Sequence, residues 1–418
     1  MPPLPLKNAY ARQVWDLLAE QVRPAAPTDR PLDGLLGATL AEDVRAQSDF
    51  PPFDRAIMDG YAVLSADFAD GPRALQLSGL ARAGGDAAAP LTSGTCVQIN
   101  TGAPIPPGAD AIVIVENSRG AAGETPAPLN SSTQVFLDDR PSPGQHIERR
   151  GAIVRTGDLL IRGGTRIGPG ELATVAAGGR RALRAFEAPT VALLSTGDEL
   201  VDPGDQPGPG QIIDSNSIAL SGCVRDAGGR PTLLGRCPDE PNLLQQRLRD
   251  ALRHRIACVT GGMSKGTHDL VPAAFESLGV AWLVESLKLK PGKPTRIGRG
   301  PQGQWIVGLP GNPVSCVVCF LLLVRPIIDG LSGRPPAPPP HFSGMLNADL
   351  PANGSRPMYQ PAEWRAGPRG EVTVTPNPWR GSGDPFGLCG ANALLYRPEN
   401  ALPAARGDQV LFIPFGLP

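Results

Sequence analysis

Between Pro189 and Gly333 the apolar positions switch repeatedly between two periods, and that switching predicts the centre of the molecule. Val191 to Leu194, Thr232 to Gly235, Ile256 to Val259 and Trp305 to Val307 are short apolar runs, each read as a strand. Helical spacing follows them. Ser217 to Asp226 has Asp214 or Asn216 near its start and Gly228 as its stop, and the segment running to Arg255 puts Leu243, Leu244, Leu248 and Leu252 on one face. That second helix takes Asp239 as its N-cap and Pro241 in its first turn, and Asn312-Pro313 opens the last one as N-cap and N1. Repeated βα units predict a mostly parallel sheet covered on both faces. Ligands collect at the carboxyl edge of such a sheet.

The flanks follow other rhythms. Ala9 to Val22 has Val14, Leu17 and Leu18 at helical spacing, and a second short helix is predicted around Leu35 to Ala41. From about 61 to 140 short β-rich segments alternate with Gly and Pro turns, and Gly120 to Ser132 reads as a hairpin tip or a mobile loop. More short strands lead to Phe186. Arg334 to Pro340 is a proline-rich linker, and alternation in Val372 to Val374 and Val410 to Ile413 predicts a terminal β domain. The organisation is therefore multidomain α/β plus β. An N-terminal helical/β region (1–186) carries an inserted small β domain (about 61–140), followed by an α/β ligand domain (187–333) and a C-terminal β domain (341–418).

Composition narrows the function classes. A net charge of -1 over 418 residues gives no support to nucleic-acid binding through overall basicity. Seven cysteines without framework spacing fit a reducing, cytoplasmic setting, and the start of the chain lacks the pattern of a signal peptide. Cys316 and Cys319 form a C-x-x-C inside the apolar run Val314 to Val324, where buried helix positions explain them, and the run, closed by Arg325 and Pro326, is too short for a membrane span. Only five of the 39 basic residues are Lys, and four of those are Lys265, Lys288, Lys290 and Lys293. A compact, mobile ammonium suits an anion where a rigid fork does not, although solvated loop positions also favour Lys.

Candidate chemistry sits on the loops after the strands. Thr260 to Asp269 combines small residues, the hydroxyl of Ser264, Lys265 and the carboxylate of Asp269 at a strand end. Ser195-Thr196-Gly197-Asp198-Glu199-Leu200 places two hydroxyls, a glycine and two carboxylates after another strand, a set suited to a phosphorylated ligand with a hard cation and equally to a helix N-cap. Cys237 to Pro241, with Asp239, and Gly308 to Ser315 arrive at the same edge. Asp59, before Gly60, is either an ordinary turn residue or a site carboxylate. Gly298 to Gly303 matches G-x-G-x-x-G, but a strand follows it, so it reads as a β turn. Gly292-Lys293-Pro294 lacks Walker A spacing, and the four histidines share no zinc spacing.

These residues carry a resemblance. Pro51 to Val63, Thr101-Gly-Ala-Pro, Ser195-Thr-Gly-Asp-Glu-Leu with Gln211-Ile-Ile-Asp-Ser-Asn, Gly261-Gly-Met-Ser-Lys-Gly with Asp269, Pro291-Gly-Lys-Pro and Leu309-Pro-Gly-Asn-Pro-Val-Ser stand in register along nearly the whole chain. The sequence resembles the molybdopterin molybdenumtransferase family, known as MoeA in bacteria and as the E domain of gephyrin in animals. The resemblance implies a C-terminal β-barrel-like domain, an elongated homodimer whose site is completed between subunits, and a Mg²⁺-dependent transferase of molybdenum cofactor biosynthesis. Its reaction would insert molybdate into adenylylated molybdopterin and release AMP. Contact with a molybdopterin adenylyltransferase is implied too, while nucleic acid and membrane are not expected as partners.

By motif, the resemblance makes Asp59, Glu199, Asp239 and Asp269 candidate catalytic residues, with Glu199 and Asp269 as metal ligands. It assigns substrate binding to Thr101, Ser195, Thr196, Gly197 and Ser264, and to the ligand-loop positions Lys290, Lys293, Pro310, Pro313 and Ser315. Arg356 and Ser382 match positions in the C-terminal domain. The chain departs from the family pattern at Ala152 and Ile153, after Arg149-Arg150-Gly151, at Thr267 and His268, and at Arg55 and Ile57 beside Asp59. Loss of acids at Ala152, Ile153 and Thr267 puts efficient turnover in question; Ala152 and Ile153 motivate a second reading, a non-turnover pterin- or nucleotide-binding scaffold, and the shared α/β domain a third, a molybdopterin adenylyltransferase.

Overall fold

The structure, a computed structural model, describes residues 5–85, 88–120, 134–263 and 270–415. Two compact units emerge. One takes the chain up to Glu42, Gly164–Gly168 and everything from Ala182 on, and the other takes Asp43–Gly163 and Pro169–Arg181.

The first unit is built on a six-stranded mixed sheet. Its strands are β1 (Thr190–Thr196), β2 (Arg230–Cys237), β3 (Ile256–Thr260), β4 (Ala281–Val284), β5 (Arg296–Arg299) and β6 (Trp305–Leu309), in the spatial order β2-β1-β3-β6-β5-β4. The first four in that order are parallel, as the βα periodicity predicts, while β5 runs antiparallel to both its neighbours. Neither β4 nor β5 is marked by a clean βα alternation. The glycine motif at Gly298 to Gly303 is the hairpin connection between β5 and β6, and β4 pairs with the other side of β5.

Strand pleating divides the core. Val191 and Leu193 face one cluster, with Leu220 and Val224 of helix α1 (Asn216–Asp226), whereas Ala192 and Leu194 face the other, with Leu244 and Leu248 of α2 (Pro241–Ala251) and Phe275 of α3 (Val271–Ser277). Ser217 N–H donates to Asp214 Oδ1 at 3.1 Å at the start of α1. The N-cap of α2 is Glu240, one residue after the predicted Asp239.

The last helix, α4 (Pro313–Leu331), runs seven residues beyond the apolar run Val314 to Val324, past Arg325 and Pro326. Phe320–Val324 is a π-helical turn. It interrupts the regular hydrogen-bond ladder just before Pro326, which has no N–H to donate. With 89% of its apolar window buried inside the protein, α4 is a core helix. Cys316 and Cys319 lie fully inside it, and all seven cysteines are free thiols. Helix Ala11–Gln21 packs Val14 and Leu18 into the same cluster as α4. The predicted helix around Leu35 to Ala41 is instead a single 3₁₀ turn, Leu32–Gly34, followed by isolated bridges through Thr39 and Leu40.

A closed barrel completes this unit: β7 (Phe342–Leu346), β8 (Met358–Ala366), β9 (Val372–Pro376), β10 (Ala393–Arg397) and β11 (Gln409–Pro414) close in the order β7-β9-β8-β10-β11. Phe412, Val374 and Leu395 fill it. The second unit holds a six-stranded sheet in which Gly60–Val63 lies between Thr95–Ile99 and Ala111–Ile114. Gly60 has no room for a Cβ, because the Val113–Ile114 backbone occupies that space.

Candidate functional site

The chain turns to opposite sides after β1 and after β3, and adjacent parallel strands with diverging connections open a crevice at their carboxyl ends. Thr196 and Thr260 end those strands and line a cavity of about 690 Å³. Its lining combines polar residues, Glu199, Asp214 and Asn216 among them, with the apolar Ile212, Ile213 and Phe386. Phe386 is 83% exposed, an apolar surface that water leaves uncovered only at a cost.

Not every predicted hydroxyl faces that space. Ser195 is buried, and its Oγ accepts from Thr260 Oγ1 at 3.2 Å, so it ties β1 to β3. Thr196 Oγ1 donates to the Thr260 carbonyl at 3.2 Å. Gly261, at φ +86°, passes so close that an added Cβ would lie 3.0 Å from Thr196 Oγ1, which requires glycine. Gly197 sits at φ +143°, and Glu199 folds back over the space a side chain there would fill. Asp239 does not line the cavity. Its N–H donates to Asp198 Oδ1 at 3.0 Å, joining the loops after β1 and β2. Arg236 braces this edge by gripping Asp202 with Nε at 2.8 Å and Nη2 at 3.0 Å, which lowers the Asp202 carboxyl pKa through those hydrogen bonds. Ser264, Lys265, Thr267, His268 and Asp269 lie outside the described residues.

A second cavity, of about 440 Å³, opens where the loop before β5 and the start of α4 meet the barrel. Residues far apart in sequence converge there: Lys290, Lys293, Pro310, Ser315, Arg356 and Ser382 all line it. The bridge Lys290↔Met358 and the bond from Tyr359 N–H to Lys290 carbonyl at 2.8 Å hold the lysine loop against β8. Arg356 Nη1 donates to Leu289 carbonyl at 3.0 Å. Neither lysine nor Arg356 has a carboxylate partner among the described residues. Lys288 is different: its Nζ meets Glu399 at 2.5 Å and Tyr10 Oη at 2.6 Å, so it belongs to an ion pair away from the cavity, and the Glu399 hydrogen bond raises its pKa.

Asn312 lines both cavities, and its Nδ2 donates to Ser382 Oγ at 2.9 Å. It is the N-cap of α4 by position, yet its side chain makes no cap bond and reaches the barrel instead. Pro313 lines the larger cavity only. Asn312, Trp379 and Phe386 carry no signal in the sequence beyond the Asn-Pro helix start and the neighbouring Gly381-Ser382-Gly383-Asp384 loop.

The second unit assembles a separate cluster. Asp59 accepts from Thr101 N–H at 2.6 Å and Thr101 Oγ1 at 3.0 Å, and the backbone bond is the main cause of its lowered pKa. The turn residue is thus a receiver for the Thr101 loop, and both residues stay exposed. Asp54 accepts from Arg150 N–H at 2.8 Å and Arg149 Nη1 at 2.7 Å, and Asp49 from Thr156 N–H and Oγ1, both at 2.9 Å. Arg55 pairs with Glu148 at 2.7 Å. Ile57 and Ile153 are exposed.

Comparison with known proteins accounts for this arrangement along the whole chain. Residues 6–179 match the family described as MoeA N-terminal region (domain I and II), 192–330 the "Probable molybdopterin binding domain", and 343–415 the MoeA C-terminal region (domain IV). Molybdopterin molybdenumtransferase 2 of Mycobacterium tuberculosis is 34% identical over 94% of this chain and 96% of its own. Molybdopterin molybdenumtransferase of Nostoc sp. is 33% identical over 77% and 74%. A molybdopterin biosynthesis MoeA protein from Pyrococcus horikosii, of solved structure, superposes with TM-score 0.81 at 28% identity, covering 98% of this chain and 100% of that one. With all three family regions matched and relatives at least 30% identical over most of the chain, the chain belongs to the molybdopterin molybdenumtransferase family.

Proposed function

We propose that the protein inserts molybdate into adenylylated molybdopterin, with release of AMP, and that the cavity lined by Lys290, Lys293 and Arg356 receives the molybdate. The chain is a transferase of molybdenum cofactor biosynthesis, as its family is. The observation that carries the finer reading is that basic cavity: three cations without carboxylate partners among the described residues, together with the hydroxyls of Ser315 and Ser382. A tetrahedral dianion needs that combination of charge and directed donors. Ser382 Oγ already accepts from Asn312, so its own O–H is available to donate outward. Arg356 is oriented by the Leu289 carbonyl and keeps its remaining N–H groups for ligand.

The neighbouring cavity suits the organic substrate. Ile212, Ile213 and Phe386 offer apolar cover for a ring system, and Glu199 and Asp214 supply hard oxygens. Those two carboxylates fit Mg²⁺, which keeps several waters and takes only one or two protein carboxylates beside phosphate oxygens. Bound there, the ion would neutralise charge on the phosphoanhydride. Asp214 is also an acceptor for Ser217 N–H, which holds its carboxylate in place. Asn312, shared by both cavities, would fix the spacing between oxyanion and pterin. We assign Asp59 and Thr101 to the part of the site that a second subunit supplies in a homodimer; their mutual hydrogen bonds and exposure support this. Seven unpaired thiols fit a cytoplasmic protein.

Purified protein incubated with adenylylated molybdopterin, molybdate and Mg²⁺ is expected to release AMP in a molybdate-dependent way. Absence of AMP release, or release indifferent to molybdate, would refute the assignment and favour a binding scaffold.

A further inference from the structure

A third crevice, of about 300 Å³, shares no lining residue with the two cavities above. Three arginines from separate parts of the chain line it: Arg30 from strand Thr28–Pro31, Arg166 from the Gly164–Gly168 segment, and Arg225 from the last turn of α1. We propose that it binds a phosphate-class oxyanion, either free or as the phosphoryl group of a phosphomonoester.

The charge balance points that way. Among the described residues no carboxylate lines the crevice, and none of the three guanidinium groups has an ion pair or side-chain hydrogen bond. Like charges collected without a counter-ion repel, so they persist together where an anion offsets them. Arg225 alone has another explanation, since a cation in the last turn complements the helix dipole. Arg30 and Arg166 have none. The nearby acid Asp329 does not serve them, because it is gripped by Arg334.

Buried hydroxyls add a second, independent sign. Thr39 and Ser332 both line the crevice at 1% and 5% exposure. Ser332 Oγ is buried with no hydrogen-bond partner, an omission that costs about 1–3 kcal/mol for a buried polar atom unless something bound there meets it. Thr39 Oγ1 accepts from Arg334 Nη1 at 3.3 Å, which leaves its hydrogen to donate. Shape supports a small ligand as well. Gly37 and Gly228, at φ +76° and +86°, flank the Arg166 guanidinium, and a Cβ on either would come within 3.8 or 3.9 Å of Nη2. Leu36 and Phe186 supply apolar walls that an organic group on the phosphate could cover.

The test is calorimetric titration of inorganic phosphate and of glycerol 2-phosphate, a phosphomonoester outside the proposed reaction, into the full-length Lys293→Ala/Arg356→Ala protein, in which the other basic cavity is disabled. One equivalent is expected to bind, and adding Arg166→Ala and Arg225→Ala should weaken it by about tenfold or more. Equal affinity for the two ligands would identify a free-oxyanion site, and tighter glycerol 2-phosphate a phosphomonoester site. Should the fourfold variant fail to fold, Arg166→Gln alone, at an exposed side chain without partners, must still weaken binding. If neither ligand binds, or binding survives these replacements unchanged, the proposal is wrong.

Discussion

Gly292→Ala gives the sharpest mechanical test of how the basic cavity is held. Gly292 stands between Lys290 and Lys293 at φ +118°, a backbone conformation that an L side chain adopts only under strain. An added methyl would also strike Cys319 Sγ inside α4 and lie 3.2 Å from Leu289 Cδ2. Cys319 cannot easily withdraw, because it is fully buried and Thr295 Oγ1 donates to its Sγ at 3.1 Å. The φ strain is about 1–3 kcal/mol, and forcing a methyl into a packed core adds about 1–3 kcal/mol, so the substitution should cost roughly 2–6 kcal/mol unless the loop moves. If it moves, both lysines move with it. Urea unfolding with parallel molybdate calorimetry is therefore expected to show lost stability, weakened binding, or both. In a Cys319→Ala background most of the steric part should disappear, leaving about 1–3 kcal/mol of φ strain plus the remaining tight contact with Leu289. Wild-type stability and wild-type molybdate affinity in Gly292→Ala would refute the packing argument.

Three further outcomes are expected. Arg356→Ala removes a charged donor worth about 1.5–3 kcal/mol, so molybdate affinity by calorimetry should fall by roughly 10- to 100-fold while circular dichroism stays unchanged. The backbone bond from Thr156, followed by its hydroxyl and Arg150, lowers the Asp49 pKa to about 2. A lowered carboxylate stabilises the folded state above its ordinary value and loses that contribution as pH falls through the folded value, so Asp49→Asn should flatten the acid side of the stability curve between about pH 4 and pH 2. Burial pushes the Cys319 thiol to about 12 and raises that of Cys316 as well, whereas Cys389 is exposed. Iodoacetamide at pH 8 should therefore label Cys389 in the native protein and spare the C-x-x-C pair, as peptide mapping would read.

The α/β core was legible because its apolar runs alternate with helices at clean spacing, and each parallel strand appears where the pattern puts it. The antiparallel β4 and β5 were not, since a hairpin at a sheet edge reads locally like a polar turn between short apolar pieces. Helix α4 outruns its apolar stretch because Pro326, a residue that normally ends a helix, follows the π turn at Phe320–Val324, where the regular hydrogen-bond ladder is already interrupted. The short helix expected around Leu35 is a single turn, since its backbone groups pair with Thr165 and Ile167 instead.

Among site positions, motif spacing found Lys290, Lys293, Arg356 and Ser382, which converge across 92 positions of sequence between Lys290 and Ser382. Spacing did not separate Lys288, whose partner Glu399 comes from the barrel. It also could not tell Ser195, whose buried hydroxyl joins two strands, from Thr196, which lines the cavity while its hydroxyl bonds to the Thr260 carbonyl. Asn312 was read as a helix cap because sequence shows the helix start and not the barrel loop that its side chain meets.

The seat of the molybdate is the claim on which the reading of the site depends. Crystals soaked in molybdate and measured at the molybdenum absorption edge would test it directly. The strongest anomalous peak is expected in the basic cavity, within hydrogen-bonding reach of Lys293, Arg356 and Ser382; a strongest peak elsewhere, with that cavity bare, would contradict the account.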